Sequence, residues 1–568
     1  MYLFKFLVHL LLAGSAAAAA PDRVKPDNNA VAGYTKARNE LLELETRQRQ
    51  DYEFRHALTP NCKEAHRIVG KIRQEEIDTV WAQNGDFAGE MFALARQKIG
   101  TTKLWKIVKR MPKGALLHAH LAAMLPYDNL ISIVMRTKGM TIAANQSLAT
   151  AESRKAAQIW FSYNTSIVDV DIYSTGYIKE EQVLLTKAAR EFPGGNRAFR
   201  KWVKSKMTIH RNDAIQHYRG VDNIWAVFEP LFGPPGTMIN YEPVFRTFLQ
   251  HLFQGLVDDR ISWVEIRAGD ARRRVIHPDG GPQDPSPDAF WDIMTEELNK
   301  FRENFRARKD GDEFYGARII WSDLRSRNKT VITEGMKQAL DRKKKFPKLF
   351  GGYDLISQED TGRTLLDLAP ELLGFQKEAR DRKLSMPFFF HAGETLGDGN
   401  ATDKNLFDAL QLRSRRIGHG FSLYKHPLLM QRAIEQHMLV EACPISNEVL
   451  RLATDILHHP LPAMIAHGVP TAISSDDPAM LGQDIAGLSY DFYQVIQAFD
   501  NVGLAGLGAL AQNSLVWSNF EDQDDEAWIN GIERGAAGRG TKGRRIRHWN
   551  TQWEAYCEEI LNDYSEYR

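Results

Sequence analysis

Between residues 115 and 474 the chain repeats one pattern: a short apolar run ending in polar residues, then a helix-length stretch. The runs predict strands at 115–120, 263–267, 318–322, 352–356, 387–391, 416–419, 438–443 and 471–474. Intervening stretches such as 365–383 and 428–437 space their apolar residues helically. Strands alternating with helices predict an α/β fold, a parallel (β/α)8 TIM-type barrel whose functional groups sit at C-terminal strand ends.

Flanking patterns fill in the rest. Leu41, Leu42 and Leu44 lie among charges, and Val69, Ile72, Ile77, Val80 and Trp81 recur at helical spacing, continued by Phe87, Met91, Phe92 and Leu94 up to Trp105 and Val108. This predicts a helical N-terminal domain over 21–110 that can serve dimerisation or cap the barrel. Roughly 140 residues separate the first two predicted strands, far more than a barrel loop and helix need. An inserted subdomain is therefore expected over 126–200, with helical pattern resuming at 221–232 and the barrel occupying 111–125 and 201–520. The remainder, 521–568, reads as a loop and helix, its glycine-rich basic stretch 534–545 as a solvated loop.

The first residues change the picture. Lys5 precedes an apolar run from Phe6 to Ala13 and small residues up to Ala20-Pro21. That is the layout of a secretory signal peptide over 1–20, and the run is shorter than the ~20 residues of a membrane span. A secreted, extracellular mature protein with no membrane segment is expected. Asn145, Asn164, Asn328 and Asn400 each open an Asn-x-Ser/Thr glycosylation triplet. With 73 Lys+Arg against 72 Asp+Glu the net charge is +1. Nothing in that balance attracts nucleic acid; a small or neutral substrate fits better. The 3 cysteines, Cys62, Cys443 and Cys557, are too few for a disulfide scaffold. Cys443, in an apolar run, is expected to be buried.

The chemistry concentrates in four clusters: His118-Ala-His120, His391-Ala-Gly-Glu394, Gly418-His-Gly420 and Asp476-Asp477. His118 and His120 alternate along a strand and so share a face. His391 ends the fifth predicted strand, and Asp476 follows the eighth, which neighbours the first in a closed barrel. Three imidazoles and a carboxylate suit Zn²⁺ with room for a water, whose pKa the ion brings near ~7. His419 is placed to hold that water and accept its proton, and Glu394 to shuttle a proton onto substrate. Adjacent residues diverge, which leaves Asp477 free to bind substrate.

Five ordered motifs, Met111–His120 through Ser474–Met480 with Phe390–Glu394, Arg416–Gly420 and Glu441–Asn447 between them, resemble the adenosine deaminase superfamily. More narrowly they resemble its secreted growth-factor-related subgroup, which Glu359–Gly362 and Gly487–Phe492 also match. The resemblance covers nearly the whole mature chain, including the N-terminal dimerisation domain and the insertion. It implies one zinc ion per chain on His118, His120, His391 and Asp476, and a homodimer. Glu394 would protonate the purine ring nitrogen beside the attacked carbon, His419 orient the hydroxide, and Asp477 bond the imidazole half of the purine. Trp225 would line the nucleoside pocket.

Departures cluster at the sugar. The aspartate that follows the second histidine in relatives is replaced by Leu121 and Ala122, and a histidine near the sugar by Leu324. A glycine whose N–H meets the purine appears as Ser357, and the insertion lacks the cysteines of its usual disulfide. The expectation is a secreted zinc enzyme deaminating adenosine or 2′-deoxyadenosine. The alternatives are another 6-aminopurine or modified nucleoside as substrate, or a growth-factor-like nucleoside binder with little turnover.

Overall fold

The structure is a computed structural model describing residues 27–83, 85–164, 170–209, 220–269, 275–278, 288–306 and 314–568. The proposed signal peptide lies outside the described residues. Two units separate at Gln48. The first contains a single described helix, Asn28–Gln48, which buries none of its side chains; Val31, Tyr34, Leu41, Leu42 and Leu44 are exposed.

The second unit holds everything that follows. Its helix Pro60–Glu76 is capped by Thr59, whose hydroxyl accepts from the Cys62 amide, and buries Ala65, Ile68, Val69 and Ile72. It packs on the C-terminal helix Thr541–Asp563, to which Cys62 is joined by a disulfide with Cys557. The helical pattern read through Phe87 and Met91 breaks there: Gly85 and Gly89 adopt positive φ, and helix resumes at Phe92–Ile99. The C-terminal helix starts inside the predicted basic loop. Arg545 is already helical and places its guanidinium 4.1 Å from the Phe520 ring centroid and 4.5 Å from that of Tyr315. Those aromatic faces attract the cation, and this arginine leaves the solvated set.

Among the described residues the strands are β1 (Gly114–His120), β2 (Met140–Ala144), β3 (Ile159–Tyr163), β4 (Val183–Leu184), β5 (Ile261–Gly269), β6 (Gly316–Leu324), β7 (Phe350–Ile356), β8 (His391–Ala392), β9 (Arg416–His419), β10 (Leu439–Ala442) and β11 (Thr471–Ile473). Strands β2, β3 and β4 form an antiparallel sheet in the order β3-β2-β4, within the region after β1. The other eight are parallel and run as two arcs, β1-β5-β6-β7 and β8-β9-β10-β11.

Backbone bonds close both gaps between the arcs. The Asp476 amide donates to the His118 carbonyl and the His120 amide to the Asp476 carbonyl, both at 3.1 Å, joining β11 to β1. At the other seam Tyr353 donates to the Pro387 carbonyl and Phe389 donates to the Tyr353 carbonyl, both at 3.0 Å. The eight parallel strands are thus one (β/α)8 barrel, in the places the apolar runs predict. The fifth is the weakest of them: Pro387 has no amide to give, and regular pairing begins only at His391.

Candidate active site

His118 and His120 end β1, His391 opens β8, His419 ends β9, and Asp476 and Asp477 follow β11, so all converge at one end of the barrel. Glycines permit the crowding. A Cβ on Gly418 would sit 2.7 Å from His118 Cε1, closer than carbon atoms tolerate. His419 and Asp476 take φ of 62° and 57°, a left-handed backbone that non-glycine residues hold only when their surroundings impose it.

Two imidazole nitrogens meet one carboxylate oxygen: His118 Nε2 and His120 Nε2 lie 3.3 and 3.2 Å from Asp476 Oδ1. His391 completes a set whose ligand atoms all lie within 4.8 Å of one another. The contacts are close but not aligned as hydrogen bonds, since His118 Nε2 and Asp476 Oδ1 are buried without partners. Donors about 2.0–2.2 Å from a tetrahedral zinc stand roughly 3.4 Å apart, so the set fits a metal ion in its midst.

Carboxylates behind the ring orient two of these histidines. His118 Nδ1 donates to Glu441 Oε2 at 2.9 Å, and His391 Nδ1 donates to Asp354 Oδ2 at 2.7 Å. Each therefore turns a bare Nε2 inward. Arg267 spans both carboxylates at 2.7 Å, and Arg416 clamps Glu441 and Glu265 at 2.5 and 2.8 Å. Burial alone would raise the Glu441 pKa, yet the charges of Arg267 and Arg416 hold it well below the usual carboxylate range. Asp354 is likewise lowered against its burial, by His391 and Arg267. Asp476 is lowered too, again against burial, by the close His118 and His120 imidazoles; Ser446 donates to its other oxygen at 2.7 Å.

His419 is backed by an amide rather than a carboxylate. The Leu461 amide donates to His459 Nδ1 at 3.0 Å, so the proton of neutral His459 is on Nε2. That nitrogen lies 2.9 Å from Asn447 Oδ1, which fixes the Asn447 amide group toward His419 Nδ1 at 3.3 Å. Burial keeps both imidazoles neutral, His459 at about 3 and His419 well below its usual value. Neutral His419 then carries its proton on Nε2, which faces Glu394 Oε1 at 3.5 Å and Asp476 Oδ2 at 3.9 Å. His419 thus offers a hydrogen where His118 and His391 offer lone pairs, which suits it to hold the water oxygen and replaces the expectation that it accepts the water's proton.

Glu394 is buried, and its backbone amide donates to Glu359 at 2.9 Å. Burial, with the charges of Asp476 and Glu359 nearby, pushes its pKa well above the carboxylate range, so it carries a proton. Asp477 is raised for the same first reason, followed by the charge of Asp476. Both face a pocket of about 560 Å³, a size suited to a small organic ligand. Leu121, Ala122, Leu324 and Ile356 supply apolar wall, and Trp225 on the helix Val221–Phe228 stands edge-on to Phe228 at 5.2 Å.

Ser357 lines this pocket as well, at φ 87°. All nine predicted metal, proton-transfer and substrate residues therefore lie around one cavity or its floor. The four glycosylation triplets do not: Asn145, Asn328 and Asn400 are exposed and Asn164 is partly so, with Asn328 capping the helix Lys329–Lys345.

The sequence reading missed the supporting groups Asp354, Arg267, Arg416, His459 and the role of Glu441. One signal was available: a charged residue inside an apolar strand, as in Val440-Glu441-Ala442 or Ile266-Arg267-Ala268, is buried against its preference and must be paired.

An α/β barrel with a histidine–carboxylate metal set beside a neutral carboxyl defines a hydrolytic enzyme of the metal-assisted type. Residues 312–534 match the family model for adenosine deaminase. The chain is 32% identical over 474 residues to adenosine deaminase 2 of Homo sapiens, covering 83% of both chains. Against adenosine deaminase 2-A of Danio rerio it is 30% identical over 467 residues, 81% of this chain and 85% of that one. Among solved structures it resembles adenine deaminase from Arthrobacter aurescens at 17% identity and TM-score 0.42, covering 78% of this chain and 99% of that one. The chain belongs to the adenosine deaminase family.

Proposed function

We propose that this protein is a secreted, zinc-dependent aminohydrolase that converts adenosine or 2′-deoxyadenosine to the 6-oxo nucleoside and ammonia. One observation carries the reading. A buried carboxyl, a buried imidazole and a convergent ligand set meet at the floor of a pocket with apolar walls. His118, His120, His391 and Asp476 would hold the ion, which when bound would supply the acidity that makes a water nucleophilic at neutral pH.

The chain's own groups do the rest. Trp225, Leu121 and Ile356 offer apolar surface to the flat purine. Glu394 gives its proton to the ring nitrogen beside the amino-bearing carbon, so that carbon accepts the water oxygen. The His419 Nε2–H donates to that oxygen and holds it on line, and Asp477, protonated, donates to the imidazole half of the purine. The carbon–oxygen bond forms and the carbon–nitrogen bond breaks; of the water's two protons one restores Glu394 and the other leaves with the amino group as ammonia. A pure binder would gain nothing from a neutral Glu394 facing an imidazole N–H.

Secretion is supported by the signal-peptide pattern, the accessible glycosylation triplets and the Cys62–Cys557 disulfide, a bond of oxidising compartments. Among the described residues no helix is long and apolar enough to cross a membrane. For a homodimer, the exposed apolar residues of the helix Asn28–Gln48 offer a surface to cover.

The test is loss of adenine absorbance when metal-replete protein meets adenosine or 2′-deoxyadenosine. Turnover should vanish with chelator, and His391→Ala should lose zinc and turnover together. A fully zinc-loaded protein that leaves every 6-aminopurine unchanged would overturn the reading.

A further inference from the structure

The motif Glu359–Gly362 takes no part in the chemistry above, yet its side chains grip the segment that carries His391 and Glu394. Glu359 is 1% exposed. Its Oε1 accepts from the Glu394 amide at 2.9 Å, and its Oε2 accepts from the Gly393 amide at 3.3 Å and from Asn405 Nδ2 at 2.8 Å. Asp360 Oδ1 accepts from the Thr395 hydroxyl at 2.6 Å. The other end of the segment is held by Arg325, the residue after β6, which is fully buried and lies 3.7 Å from Glu359 Oε2. It donates to the carbonyls of His391 at 2.8 Å and of Leu355 at 3.0 Å. Gly362 clears its path, since a Cβ there would lie 2.5 Å from Arg325 Cγ. Between the two ends Gly393 turns the chain at φ 78°, in a space where a Cβ would sit 2.9 Å from Leu406 Cδ2.

We propose that Arg325 and Glu359 are a positioning pair that sets where the Glu394 carboxyl stands relative to His391. This rests on the deaminase reading above, in which Glu394 gives a proton to the purine ring. Arg325 fixes the carbonyl at the ligand end, and Glu359 fixes two successive amides at the acid end, three residues on. Two charges taken out of water are a poor source of stability, and apolar side chains of equal volume could fill their space. What this pair supplies is a fixed spacing between an ion's ligand and a proton donor. A reacting group misplaced by about 1 Å can lose roughly 10²-fold in rate, so the grip should be visible in kcat.

The experiment measures zinc content, inosine binding, thermal stability, and kcat and KM for adenosine in Glu359→Gln, with and without Asn405→Asp, in the wild-type and Glu394→Gln backgrounds. Glu359→Gln sets an amide NH2 against the Asn405 NH2, two donors face to face. It should lower kcat by at least about tenfold, while zinc stays bound and KM and inosine affinity stay within about threefold. Adding Asn405→Asp returns an acceptor there and a negative charge beside Arg325, and should recover kcat by at least about threefold. In the Glu394→Gln background Glu359→Gln should change kcat by less than about threefold, because a pair that acts through Glu394 has nothing left to position. Thr395→Val, which cuts only the Asp360 tie, keeps the test open if Glu359→Gln does not fold; its loss of kcat should likewise vanish in the Glu394→Gln background. Equal losses in both backgrounds, or an unchanged kcat in Glu359→Gln, overturn the positioning role. A zinc-loaded wild type that turns over no 6-aminopurine is a different result, and overturns the deaminase reading on which the pair rests.

Discussion

Asn447→Asp should convert His419 from a hydrogen-bond donor into a metal-ligand type of histidine. The molecule contains its own control. His118 and His391 have carboxylates behind Nδ1, at 2.9 and 2.7 Å, and present bare Nε2 atoms; His419 has the Asn447 amide at 3.3 Å and presents Nε2–H. In the variant a carboxylate oxygen replaces the amide donor. It can accept from His459 Nε2, as Asn447 Oδ1 does at 2.9 Å, and from a relocated proton on His419 Nδ1. Nε2 then loses its hydrogen and the attacking oxygen loses a donor. Removing one donor aimed at a developing oxyanion costs about 3–4 kcal/mol, a turnover loss of roughly 10²–10³-fold. Zinc should stay bound, because His118, His120, His391 and Asp476 are untouched by the change. The assays are zinc content, kcat on adenosine, and ¹⁵N chemical shifts of the His419 ring, assigned through a His419→Gln spectrum. A variant with kcat within threefold of wild type, or a wild-type spectrum with the proton on Nδ1, would refute the tautomer argument.

Two further outcomes test other parts of the structure. Glu394→Gln should retain zinc and lose turnover by ~10²-fold or more, since a general acid is removed while the ligand set is untouched; an unimpaired variant would end its proton-transfer role. Lys542 is buried with its Nζ 4.1 Å from the Trp528 ring centroid, and burial lowers its pKa from 10.5 to about 7. The penalty falls on the charged form, so it is full below pH 7 and fades as pH rises toward 10.5. That penalty is ~4 kcal/mol near neutrality, offset by about 1–2 from the ammonium–indole attraction. Lys542→Met should therefore stabilise the protein by ~2–3 kcal/mol in urea titrations at pH 6.5 and by much less at pH 9.5. Equal gains at both pH values would refute it.

The barrel was legible because its strands are buried on both faces and so read as continuous apolar runs, whose ends held the histidines and aspartates. The ligand set was legible for a related reason: one functional group per strand end is a pattern along the chain. What lies behind the ligands was not. Glu441 serves His118 from two strands away in the closed ring, counting back through β11, and Arg267 joins carboxylates of β7 and β10; only the closed ring places them together. His459 acts through Asn447, across a turn whose geometry no spacing announces.

The sugar end shows the same limit from the other side. Position by position, Leu121, Ala122 and Leu324 read as losses, because a motif compares a residue only with its counterpart. Whether a lost carboxylate has been replaced depends on what stands across the cavity. Glu229 approaches from a helical segment more than a hundred residues from β7, yet its carboxylate meets the Ser357 hydroxyl. The one trace of this in the sequence was Ser357 at a position where the family resemblance implies glycine. As a local change it looks like added bulk in a tight place. Its meaning comes from φ 87°: a serine kept in that backbone region must be compensated, and the compensation it makes is a bond to a carboxylate at the pocket mouth.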